Sequence, residues 1–293
     1  MSKIISILEE NRLFDDCKDE IYTNKIADFF NNYKFNSTSS NPFPSYIKRN
    51  KDGYILLNDI PYIISDLETK TRKQSFWMLL DNGSRIFVKE AEEDEMENEL
   101  LFQELCKTLN IPCANYDIAL YNGDKFLVSN SFLAVNEIVY DYYKLEGLDY
   151  VEIDDVLFYA NEINQGMHFK QTLTIDGLTK NVDRFPHNFK SILTEEHKNR
   201  ICPLFDNGLR DKFRITMPFI GNSASYNSIL EYIMQDEKYK NWIKSYILDK
   251  KIPNVKDIIF RKKGIYIDKN NYDKFKTDLT EGKKLIKQVY KNS

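Results

Sequence analysis

Residues 173–208, LTIDGLTKNVDRFPHNFKSILTEEHKNRICPLFDNG, decide how this chain is read. Asp183 is followed five positions later by Asn188, and an apolar segment then leads to Asp206 in the run Phe205-Asp206-Asn207-Gly208. Aspartate, asparagine and a second aspartate in that order are what a kinase-type phosphoryl transfer site requires. One carboxylate accepts the proton of the attacking hydroxyl, while an amide oxygen and the other carboxylate hold the metal that screens the phosphates. Pro186 fixes its own φ and turns Phe185 away from helix, so a loop is expected around Asp183 and Asn188. Ile192 and Leu193 read as strand or buried turn, and Gly208 lets the chain leave directly after Asp206. A D-x-x-x-x-N motif standing alone more often caps turns than carries chemistry. The apolar-Asp-Asn-Gly that follows tips the balance towards a site.

At these residues the sequence resembles the HipA-like kinases, bacterial relatives of the protein kinase and phosphoinositide kinase folds. Their catalytic loop has the form N-x-D-R-H-x-x-N, followed by P-x-F/Y-D. The counterparts here are Asn181-Val182-Asp183-Arg184-Phe185-Pro186-His187-Asn188 and Pro203-Leu204-Phe205-Asp206. The resemblance implies Asp183 as the catalytic base and Asn188 and Asp206 as magnesium ligands. One departure is Phe185, where the family carries histidine; a histidine stands instead at position 187.

The 293 residues suffice for one two-lobed enzyme or two ordinary domains. An apolar share of 42%, with 14% aromatic, supports a packed core. A net charge of −4 argues against a general nucleic-acid-binding surface. No apolar run is long enough to span a bilayer, and Glu9 and Glu10 come too early for a secretory signal. Cys17, Cys106, Cys113 and Cys202 lack disulfide or zinc spacing and read as buried thiols in a reducing, cytoplasmic setting.

Residues 2–34 carry a helical period, and 36–44 (NSTSSNPFP) form a polar, proline-bearing break. Strands are predicted at YILL (54–57), SFWMLL (75–80) and RIFVK (85–89), the last two joined through Asp81-Asn82-Gly83-Ser84. A helix with an acidic start is predicted over 93–109, ended by Ile111-Pro112. Residues 116–120 and 125–128 form a second hairpin about Asn122-Gly123. Beyond residue 135 helical patterns dominate. Ile229, Tyr232, Ile233, Trp242, Ile243, Tyr246 and Ile247 read as one core-facing stripe, and the lysine-rich end reads as helix with a solvated face. Strands first and helices afterwards imply an α+β, two-lobed, protein-kinase-like fold. The expected divisions are a helical N-terminal extension (1–44), a β-rich nucleotide-binding lobe (45–133) and a mainly helical catalytic lobe (134–293).

On the ATP side, Lys89 ends its strand as a phosphate-binding lysine would. The segment from Glu99 through Glu104-Leu105 to Leu109-Asn110-Ile111-Pro112 looks like the family pattern E-x-x-x-x-E-L-A-x-x-L-G-I-P. The resemblance therefore places the lysine-orienting carboxylate at Glu99, with Glu95 and Glu97 as competitors. A strand-end lysine beside a solvated acidic helix is the bland alternative. The 10 glycines lie too far apart for G-x-G-x-x-G or a Walker loop. Residues 69–77, TKTRKQSFW, resemble the family's G-T-K-x-K-F-W phosphate-covering loop, which implies Thr71, Lys73 and Ser75 as ATP-binding residues. The hinge that meets the adenine is expected at 129–133, including Ser131 and Phe132.

The resemblance thus implies an ATP- and Mg2+-dependent Ser/Thr protein kinase with a protein substrate. Relatives act as toxins paired with a DNA-binding antitoxin, so an antitoxin partner is implied too, without direct nucleic-acid or membrane binding by this chain. A nucleotide-binding pseudokinase, or a lipid or small-molecule kinase on the same fold, is the alternative.

Overall fold

The computed structural model describes residues 43, 47–60, 62–65, 75–80, 85–133, 137–141, 153–181, 190–194, 198–207, 226–249 and 267–293. The helix expected over 2–34 and the break at 36–42 lie outside them. Contacts divide the chain into two units. One comprises Met1–Met96, Ala114–Val135 and Lys262–Ile265; the other comprises Glu97–Cys113, Asn136–Arg261 and Tyr266–Ser293.

The first unit is built on a six-stranded sheet. Its strands are β1 (Ile55–Leu56), β2 (Tyr62–Ser65), β3 (Ser75–Leu80), β4 (Arg85–Lys89), β5 (Asn115–Tyr121) and β6 (Asp124–Asn130), in the order β1-β5-β6-β4-β3-β2. Only the β1–β5 pairing is parallel. The β5–β6 hairpin closes on Tyr121↔Asp124, and Asn122 and Gly123 between them have φ of 48° and 91°. Two consecutive positive φ values make the turn whose twist suits a two-residue hairpin, and Asn-Gly is the pair that adopts them readily. The expected β3–β4 pairing forms as well, with Leu79 opposite Arg85. The strand predicted at 54–57 is shorter than expected: after Leu56 the chain enters a 3-10 turn, Leu57–Asp59. Ile55, Leu57, Phe76, Met78, Ile86, Val88, Ala119, Phe126 and Val128 form the apolar core under the sheet. The segment before β1 is fastened to β5 by Arg49, whose guanidinium donates to Asp117 at 2.7 Å.

Helix α1 (Glu93–Leu109) has the predicted bounds. Its acidic first turn suits the positive end of the helix dipole. At the other end Asn110 takes φ 57°, and the Ile111 N–H donates to Cys106 O at 2.8 Å. This left-handed cap stands where glycine is usual; asparagine is the next residue to accept that backbone.

In the second unit α2 (Ile153–Glu162) and α3 (Gly166–Thr179) lie beside a three-stranded antiparallel sheet, β7 (Ile138–Asp141), β8 (Lys190–Leu193) and β9 (Asn199–Ile201), in the order β7-β8-β9. β8 holds Ile192 and Leu193, expected as strand or buried turn, while β7 and β9 stand in a region where helical patterns dominate the sequence. Helices α4 (Tyr226–Ile233) and α5 (Glu237–Trp242) follow, with a π-helical turn, Ile243–Leu248, and then α6 (Lys269–Asn292). The expected stripe is broken at Gln235-Asp236, where Asp236 accepts the Lys238 and Tyr239 N–H groups and starts α5 afresh. Ile229, Ile233, Trp242, Ile243 and Ile247 are buried, but Tyr232 is 43% exposed.

α3 is buried on nearly every side, which leaves it no polar face. Its threonines answer this locally: Thr172, Thr174 and Thr179 donate to the carbonyls of His168, Lys170 and Ile175. Thr174 also meets the Tyr239 hydroxyl at 2.5 Å, and burial pushes that phenol above its ordinary pKa. α6 packs along α3 through Phe275, Leu279, Gly282, Ile286 and Val289, a 3.6-residue period. Asp268 caps its first turn, and Glu97 of α1 accepts both the Asp268 N–H at 3.0 Å and the Asn271 amide at 2.9 Å. Lys180 sits at φ 54° beyond α3 and reaches Asp278 and Glu281 of α6 at 3.0 and 2.6 Å. Among the described residues no helix is long and apolar enough to cross a membrane.

At Gly282 α6 comes close to the α3 backbone: a Cβ there would stand 2.8 Å from the Leu178 Cα. Alanine in place of a helical glycine ordinarily stabilises by up to ~1 kcal/mol. Here the obstruction is backbone, so Gly282→Ala is expected to destabilise by about 1–3 kcal/mol. A lowered midpoint in thermal or urea unfolding followed by circular dichroism is the check.

Candidate functional site

Lys89, the last residue of β4, faces Ser75 across the β3–β4 ladder. The residue is 9% exposed, and its ammonium lies 3.2 Å from Glu95 Oε1 in the first turns of α1. Glu95 was one of the two competitors for this role. A cation so far out of water needs a countercharge, and the strand end and the helix start supply one from six residues apart in sequence.

Glu99 is one helical turn beyond Glu95 and only 1% exposed. Its Oε1 accepts the Asn207 N–H at 2.5 Å, and Oε2 stands 3.4 Å from Asn207 Nδ2. Asn207 follows Asp206, whose backbone is left-handed at φ 56°. The approach to Asp206 is fixed as well. Leu204 N–H donates to Pro112 O at 2.9 Å, within a parallel bridge between Cys113 and Leu204. Asp206 itself is half-buried.

Asp183 and Asn188 lie outside the described residues, as do Thr71 and Lys73, but both ends of the 182–189 segment are described. At its entrance, beyond the left-handed Lys180, Asn181 is bound twice by Asp176 of α3. Its N–H donates to the Asp176 carbonyl, and its Nδ2 donates to Oδ1, each at 2.9 Å. At its exit, β8 is paired on both edges, and Ser191 accepts from the Gln165 amide at 2.9 Å at the start of α3. His168 is buried, its Nε2 3.3 Å from the Cys202 carbonyl, in keeping with a packing role.

The segment expected to meet adenine continues β6. Ser131 N–H donates to Arg85 O at 2.8 Å, and Leu133 N–H donates to Ser131 Oγ at 3.2 Å. The buried Arg85 guanidinium donates to Leu133 O at 2.9 Å. Three of the backbone groups considered for base recognition are therefore engaged within the unit. Ser131 is buried and Phe132 half-buried.

Three residues of this region were absent from the sequence reading. Asp176 is the central carboxylate of a buried helix, and no spacing rule marks it. Asn207 was visible only as part of an Asp-Asn-Gly turn. Arg85 looked like an ordinary polar strand residue. Among the described residues no group of three His, Cys, Asp or Glu side chains could hold a metal.

No family model matches this sequence, and no curated protein matches it. Solved structures do. They show the fold: the chain has a kinase fold like that of HipA-type kinases of known structure. Two of these likenesses bear on the reading. The Helicobacter pylori proinflammatory kinase CtkA matches with a TM-score of 0.63 and 14% identity, over 79% of this chain and 97% of that one. HipA of the Shewanella oneidensis toxin–antitoxin system, solved with HipB and operator DNA, matches with a TM-score of 0.52 and 14% identity, over 84% of this chain and 67% of that one. At such identity the likeness is one of fold.

Asp176→Ala removes the acceptor that holds the Asn181 amide, in a setting where Asn181 is 4% exposed. A loss of about 1–3 kcal/mol in unfolding free energy is expected. Asp176→Asn, which keeps an acceptor oxygen, should lose less in the same urea titration.

Proposed function

We propose that this chain is an ATP- and Mg2+-dependent kinase of the HipA-like class, transferring the γ-phosphoryl group of ATP to a serine or threonine of a protein. In this reading residues 45–133 form a nucleotide-binding lobe, 134–293 the catalytic lobe and 1–44 an N-terminal extension. The observation that carries it is Lys89. A nearly buried lysine, ion-paired to Glu95 at the end of a strand in a kinase-fold sheet, suits a cation reserved for phosphate rather than for solvent.

Asp183 accepts the proton of the attacking hydroxyl as its oxygen bonds to the γ-phosphorus. The bond from that phosphorus to the β–γ bridging oxygen breaks, and ADP leaves. Lys89 holds the α- and β-phosphates, and Thr71, Lys73 and Ser75 cover them. An Asp carboxylate and an Asn amide oxygen are the hard donors magnesium takes, so Asp206 and Asn188 fit it. Bound there, the metal supplies charge screening for the phosphate oxygens. Most of the acceleration then comes from positioning and fixed charge, because this transfer asks for little covalent chemistry from the protein.

The likeness to HipA, solved with HipB, supports an antitoxin-type protein partner. Cys106, Cys113 and Cys202 are buried thiols outside any disulfide, in keeping with a reducing cytoplasm.

Asp206→Ala and Asp183→Ala are each expected to abolish Mg2+-dependent transfer of radiolabelled phosphate from ATP, autophosphorylation included. Transfer retained by Asp206→Ala counts against the assignment. A thermal shift with ATP and Mg2+ but no transfer by the unmodified chain assigns it instead to the nucleotide-binding modules without catalysis.

A further inference from the structure

We propose that Glu99 is a positioning residue for the metal-bearing turn, acting on Asp206 through Asn207; the proposal rests on the kinase reading above. Asp206 adopts φ 56°, a left-handed backbone uncommon outside glycine, asparagine and aspartate. The described contacts hold the chain at two anchors, one on either side. Before Asp206, Leu204 is bridged to the chain leaving α1, at Pro112 and Cys113. After it, the Asn207 N–H points into the Glu99 carboxylate at 2.5 Å, with the Asn207 amide 3.4 Å from the second oxygen.

Glu99 and Asn207 are each 1% exposed, so water does not compete for this bond. A hydrogen bond from a backbone N–H to a carboxyl oxygen out of water is electrostatically stronger than one made in water. The carboxylate thus fixes the peptide plane that directly follows Asp206, and with it the direction in which the Asp206 side chain leaves the backbone. This is the logic by which groups behind a metal ligand tune its hold on the ion. Whatever else Glu99 touches, its grip on Asn207 is sufficient for this role.

The test uses the full chain and reads Mg2+ binding to the ATP-bound protein by calorimetry, beside the Mg2+ concentration giving half-maximal ATP turnover, and separately from the KM for ATP at saturating Mg2+. Glu99→Ala is expected to raise the Mg2+ requirement about 10- to 100-fold, with a much smaller change in the KM for ATP. Glu99→Gln keeps an oxygen for the Asn207 N–H and should recover most of the loss. Asn207→Asp sets a second carboxylate against Glu99 and should reproduce the defect. Asn207→Ala keeps the backbone bond and should be mild; it and Glu99→Gln keep the proposal testable if Glu99→Ala fails to fold. An unchanged Mg2+ requirement in folded Glu99→Ala or Asn207→Asp overturns the proposal, as does a defect confined to the KM for ATP. A lowered melting temperature with normal Mg2+ dependence also overturns it, by reducing Glu99 to a structural residue. If the unmodified chain shows no Mg2+-dependent turnover, the kinase reading fails first and the inference with it.

Discussion

A charged group drawn out of water has to be answered by another, and much in this molecule follows from that constraint. Lys89 is held at the end of a central strand, where the ladders to β3 and β6 fix its backbone on both sides. The ammonium would be costly there without Glu95. Pairs of this kind add little net stability, since apolar residues of similar size usually do as well. Their value lies in holding a charge at a known place. The sheet supplies the place, and α1 supplies the countercharge.

The same principle organises α3. A helix buried on every side has no exposed face to carry its polar residues, so each must find a partner inside. Threonine hydroxyls turn back on the carbonyls of the preceding turn, Lys170 pairs with Asp236, and Asp176 takes the Asn181 amide. Asp176 is thereby committed to the entrance of the segment that bears Asp183. Apolar neighbours could have filled the space, but they could not have fixed the direction of Asn181.

Much of this was legible beforehand, for local reasons. The bounds of α1 follow from its acidic start and the Ile-Pro beyond its end. The β5–β6 turn follows from Asn122-Gly123, whose backbone freedom is intrinsic. Lys89 could be picked out because a strand pattern ended on it. What stayed hidden depends on contacts between distant residues. Glu95 and Glu99 lie one turn apart on the same helical face, so spacing alone could not show that Glu95 pairs with Lys89 or that Glu99 takes the Asn207 N–H. The apolar stripe read as one helix face is two helices divided at Asp236, and a cap in mid-pattern is easily taken for a loop residue. Asp176 carried no signal, because burial of a carboxylate cannot be read from its neighbours in sequence. Asp183, Asn188, Thr71 and Lys73 rest on the sequence alone.

Consider last what α1 does with Glu97 and Glu99. One holds the first turn of α6 and the other the peptide after Asp206. Successive residues of a helix point about 100° apart, so turning α1 by one residue would carry both carboxylates away from their clients together. Within the second unit the helix therefore behaves like a key with two teeth, cut so that one angle serves both.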